Sequence, residues 1–147
     1  MKQNLLSLHG EFQGNPRTIN GSSFEKPEYK DLEVFPNKCI ENSYNFAIAN
    51  NCVMVEGILI ILIDNKPHAV EPHCWNKKDN IFYDTTIDYL TTISNYQNQI
   101  GDSKVDYIYY LCTEYYPQES GYQKGLSTFY YNYDLLINYI KSKIHNS

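Results

Sequence analysis

The chain has 147 residues, enough for one domain with an ordinary core and no need of disulfide or metal staples. Its net charge of −5 is mild and its lysines are scattered, which argues against nucleic acid or an anionic membrane surface as the main partner. Four cysteines without CxxC spacing, behind an opening Met1–Gly10 too short and polar for a signal peptide, lead us to expect free thiols in a reducing, cytoplasmic setting.

Residues 1–37 hold Gly10, Gly14, Pro16, Gly21, Pro27 and Pro36 among polar residues and predict an irregular arm, with 38–147 as the core of a single domain. From Cys39 to Asn50, Ile40, Tyr44, Ala47 and Ile48 recur at helical spacing, Asn37 is the expected N-cap, and Asn50-Asn51 marks the stop. Val53–Ile63 is apolar at nearly every position, the pattern of a strand covered on both faces, interrupted by Glu56. Its run from Ile58 to Ile63 is far too short to cross a bilayer.

Asp64 to Pro67 reads as a turn, followed by strands Ala69–Asn76 and Ile81–Thr85 about a Lys77–Asn80 turn. A hairpin symmetric about Lys78-Asp79 pairs Trp75 with Phe82 and sets His73 directly opposite Asp84. Directly opposed residues share a face with Cβ atoms roughly 4.5–5.5 Å apart. Ile87–Gly101 predicts a short helix and a loop, Val105–Thr113 a tyrosine-rich strand, and Tyr133–Ile144 a closing helix with Leu136, Ile137 and Ile140 inward. The order predicts an α+β fold, an early helix packed on a mostly antiparallel sheet.

Three residues in this layout carry chemistry. Cys39 falls in the first turn of a helix, where unpaired amides and the positive dipole end favour a thiolate. His73 supplies a base, and Asp84 a carboxylate to orient it. That is the composition of a thiol acyl-transfer site, with the Cys39 amide as one oxyanion donor and the Asn37 side chain as a candidate second. Asn42, one turn on, either holds the loop before Cys39, faces the substrate, or is an ordinary surface polar residue. Glu56 needs a partner if buried, whether beside the site or at an edge or bulge. Trp75 reads as core or pocket wall. His68, near the turn and without a matched carboxylate, reads as a solvated residue. No paired metal-ligand spacing occurs, and His73 and Cys74, adjacent in a strand, should point to opposite faces, so neither metal nor cofactor is expected.

The pattern Cys39-x-x-Asn42, Val55-Glu56-Gly57, His73-x-Trp75 and Asp84-x-Thr86 resembles the papain-like and transglutaminase-like superfamily of thiol enzymes, including small bacterial and phage proteins. The likeness spans about residues 36–87. Cys74 stands where a small alanine is usual there, and Thr85 where proline is usual. The resemblance implies a papain-like core and cleavage or transfer at an amide bond, by peptidase, glutamine deamidase, transglutaminase or peptidoglycan amidase chemistry, with a protein or peptide as the first choice of substrate. The alternative is a non-catalytic interaction module on the same fold, binding through its tyrosine-rich C-terminal third.

Overall fold

A computed structural model describes residues 18–28, 32–92, 102–117, 137, 138 and 140–142. It is an α+β fold: strand β1 (Thr18–Asn20), a 3-10 turn (Gly21–Ser23), helix α1 (Cys39–Asn50), strands β2 (Val53–Ile63), β3 (Lys66–Lys78) and β4 (Ile81–Tyr83), helix α2 (Thr85–Thr92) and strand β5 (Val105–Tyr115). The strands form one antiparallel sheet in the order β1-β5-β2-β3-β4. Among the described residues no helix is long and apolar enough to cross a membrane.

The apolar run of β2 dictates its place. With neighbours on both edges and layers on both faces, only its end residues Val53 and Ile63 are less than fully buried. Ile58, Ile60 and Leu62 point to one face, where Ile137 and Ile140 cover them. Those two lie in the expected closing helix, of which residues 137, 138 and 140–142 are described, all helical. Val55, Leu59 and Ile61 point to the other face, against Trp75 and Tyr109.

Gly57 lies at a register shift between β2 and β5, and a Cβ there would overlap the Tyr110 carbonyl oxygen and fall 2.7 Å from Trp75 Cη2. Only glycine admits the indole at this point. Trp75 lies over it, wholly buried and edge-on to Tyr109 at 5.0 Å.

Helix α1 ends as expected, with Asn51 in the left-handed region and the Cys52 amide bonded to the Ala47 carbonyl. Its buried residues are Ile40, Asn42, Ser43, Phe46 and Ala47, while Ile48 is exposed, so the stripe is rotated from the one apolar spacing predicts. Asn42 and Ser43 cause the difference. They are polar residues buried because the backbone and Thr86 satisfy them, and Asn76 bonds the Ser43 and Val53 carbonyls to tie α1 to the sheet.

Three sequence expectations are corrected. Asn37 does not cap α1: it takes φ 59° in the preceding turn, and Lys38 holds the cap position without a side-chain bond. The hairpin after β3 turns over two residues, Asp79 and Asn80, both left-handed, so Asn76 pairs with Tyr83 and Lys77 with Phe82. The register is two residues from the symmetric one. Two residues of positive φ match the strand twist, which a four-residue turn does not require. Third, Asp84 is no strand residue, since β4 stops at Tyr83 and α2 starts at Thr85. The described part of the arm lies against the core. Residues 18–20 pair with β5, and Gly21 crosses Tyr107 so closely that a Cβ would stand 2.8 Å from it. Phe24 then stacks on Tyr109 at 4.1 Å and on Phe82 at 5.3 Å. The expectations for residues 1–17, 93–101 and most of the C-terminal third lie outside the described residues.

Candidate active site

Three pieces of chain converge at the edge of β3. β4 covers that edge only from Asn76 to Lys78, and the start of α1 meets the strand where the cover ends. Asn42 fixes the approach. Wholly buried, it accepts from the Phe35 amide at 2.9 Å and donates to the Phe35 carbonyl at 2.8 Å and to Thr86 Oγ1 at 2.9 Å. One side chain thus ties together the loop before Cys39, the first turns of α1 and the start of α2. Of the roles open to Asn42 in the sequence, this is the loop-holding one.

Asp84 owes its position to α2. As N-cap it accepts the Ile87 amide on Oδ1 at 3.0 Å, and its carbonyl accepts the Asp88 amide. This leaves Oδ2 facing the sheet, where His73 Nε2 lies 2.7 Å away, both side chains about 95% buried. The facing does not depend on the hairpin register, because Asp84 lies beyond β4 and reaches His73 as the cap of α2. Tyr109, whose role the sequence does not signal, donates its hydroxyl to the same Oδ2 at 2.7 Å. Burial first, and then the Asp84 charge, hold its phenol well above the ordinary value, so Tyr109 stays a donor.

On the other side of the imidazole is Cys39. Its thiol lies near enough to His73 for each group to shift the titration of the other, and Nδ1 is the ring nitrogen that Asp84 leaves over. Cys39 also meets the side chain and backbone amide of Cys74, although His73 and Cys74 point to opposite faces of β3. It can reach both because it stands off the strand's edge, not over either face. The Cys74 hydrogen bond does most to lower the Cys39 thiol. Burial opposes it, and the charge of His73 adds to it, carrying the group from 9.0 to about 4. Burial by itself would lower His73. The Asp84 carboxylate and the Cys39 thiolate outweigh it and hold the imidazolium well above its usual value. Both shifts favour a thiolate beside an imidazolium.

Trp75 stands beside this pair, its ring 6.1 Å from His73 and near parallel, and is a wall of the site. Glu56 is buried opposite Cys74 across β2 and β3. Burial, then the Cys39 contact and the Glu56 charge, push the Cys74 thiol well above its usual value, so Cys74 remains protonated. Asn37 is exposed in the turn before α1. His68 is exposed on β3.

A cavity of about 250 Å³ lies behind Asp84, walled by Phe24, Pro27, Ile87, Tyr107 and Tyr109. A larger one, about 510 Å³, lies at the far end of the β3–β4 hairpin and contains neither Cys39 nor His73. Its only thiol is Cys52, which burial pushes up to about 11. Among the described residues no three of His, Cys, Asp and Glu are arranged to hold a metal ion. In comparisons with known proteins, no family model, curated protein or solved structure matches this chain.

Proposed function

We propose that this chain is a cysteine-dependent hydrolase or acyl-transferase that acts on an amide bond, built on a papain-like or transglutaminase-like core. One observation supports the reading: His73 bonds Asp84 at 2.7 Å, and the same imidazole and the Cys39 thiol, in the first turn of a helix, each shift the titration of the other. The Cys39 thiolate attacks the carbonyl carbon, and the Cys39 amide, at the helix start, donates a hydrogen bond to the developing oxyanion. His73 gives its Nδ1 proton to the leaving amine, which departs to leave a thioester on Cys39. Water or an amine, deprotonated by His73, then takes the acyl group and restores the thiolate. Asp84 keeps the imidazole oriented and supports its charge.

The substrate in this reading is a peptide bond or a glutamine side chain of a protein. Four free thiols suit a reducing, cytoplasmic place of work. The test is incubation with glutamine-containing peptides, following ammonia release, chain cleavage and amine incorporation by mass spectrometry. One of these should proceed and fall at least about 10³-fold in both Cys39→Ala and His73→Ala. Turnover that survives either substitution would overturn the assignment.

A further inference from the structure

Cys74 forms no bond to substrate in that reaction, yet Cys39 packs against the buried cluster that holds it, and the two thiols shift one another. Its position suits a second kind of chemistry. Cys39 is half-buried, whereas Cys74 is 1% exposed and packed in the same cluster beneath α1. An oxidant therefore meets Cys39 first and finds a second thiol behind it. Oxidisable sensor cysteines commonly have this arrangement: an accessible thiolate with a resolving partner alongside.

We propose that Cys39 and Cys74 close a reversible disulfide when the protein meets hydrogen peroxide, making this pair an oxidative modification site. In the first step the Cys39 sulfur attacks one peroxide oxygen, the O–O bond breaks, and hydroxide leaves. Cys39 becomes a sulfenic acid. Next the Cys74 sulfur, losing its proton, attacks the sulfenic sulfur and the S–O bond breaks. The departing hydroxide takes up that proton as water. Two thiol groups lose two electrons in all, and one peroxide is reduced to water and hydroxide. A dithiol reductant reverses the bond by exchange.

The bond serves two ends. It takes the nucleophile out of use, and it keeps Cys39 from passing to the irreversible sulfinic acid. Cys52 and Cys112 are poor substitutes, Cys52 being buried with its thiol pushed up to about 11 and Cys112 bonded to the Tyr110 carbonyl on another part of the sheet. The consequence for activity rests on the catalytic reading above; the disulfide itself does not.

The experiment exposes the full chain to a few equivalents of hydrogen peroxide at pH 7, blocks remaining thiols with iodoacetamide in denaturant, and maps peptides without reduction. The expected product is a cross-linked Cys39–Cys74 peptide, two hydrogens lighter than the dithiol, that disappears on treatment with dithiothreitol. In Cys74→Ala and Cys74→Ser the cross-link should be absent, and Cys39 should gain two oxygens irreversibly at the same dose. The proposal is overturned if Cys39 in the unmodified chain gains two oxygens while Cys74 remains alkylated, or if Cys39 pairs with Cys52 or Cys112. A parallel sample alkylated without peroxide separates the two readings. Fast Cys39 alkylation without a cross-link refutes the disulfide alone, whereas a Cys39 inert to both reagents refutes the catalytic site as well.

Discussion

Asp84→Asn removes a charge while keeping the shape of the side chain, so it isolates what the carboxylate contributes. The carboxylate accepts three hydrogen bonds, from His73 Nε2, the Tyr109 hydroxyl and the Ile87 amide. An asparagine can meet only part of this. With its oxygen toward the sheet, its amide group faces the Ile87 N–H and the cap is lost, which costs about 1 kcal/mol. With its oxygen toward Ile87, the amide group faces two donors. Either way the buried imidazolium loses its counter-charge, and breaking such a pair from one side costs about 3–5 kcal/mol.

The cost must depend on pH. Because the folded pKa of His73 is raised, the stability it contributes is fully present below the unfolded imidazole value of about 6.5 and is lost as pH rises through the folded value. Urea unfolding followed by the fluorescence of the single tryptophan, Trp75, is the assay. We expect the variant to lose about 3–5 kcal/mol at pH 6 and less at pH 10. A loss under about 1 kcal/mol at pH 6, or an equal loss at both, would refute the charge-support argument.

Asn42→Ala should lose about 3 kcal/mol in the same assay, about 1 for each of its three hydrogen bonds, and should slow Cys39 alkylation by freeing the loop before it. A stability change near zero would show that Asn42 is not the tie described. Gly57→Ala should cost about 3 kcal/mol, because the new methyl group meets the backbone of β5 and the indole of Trp75, neither of which can swing away. Thermal unfolding within about 1 °C of the parent would contradict that packing.

The elements with long, periodic apolar patterns were legible. β2 follows from an unbroken run of Ile and Leu, and the end of α1 from Asn50-Asn51. The inward face of α1 was not, because Asn42 and Ser43 occupy it and their burial depends on partners far along the chain, Thr86 among them. In the hairpin the faces were readable, whereas the register required knowing that Asp79 and Asn80 both adopt positive φ. Cys39, His73 and Asp84 could be paired by spacing and motif, though Asp84 arrives as a helix cap and not as a strand neighbour. Tyr109 left no signal, since a tyrosine twenty-five residues from Asp84 in a tyrosine-rich strand looks like any other.

The central claim is that Cys39 rests as a thiolate paired with the His73 imidazolium. The direct measurement is the rate of Cys39 alkylation by iodoacetamide from pH 3 to pH 10, resolved by peptide mass, in the parent chain, in His73→Ala and in His68→Ala as a control. The account predicts a midpoint near 4 for the parent chain and for His68→Ala, with Cys39 ahead of the other three thiols at pH 6, and a marked rise in the midpoint for His73→Ala. A parent midpoint near the ordinary thiol value of 9.0, or the same curve with and without His73, would contradict it.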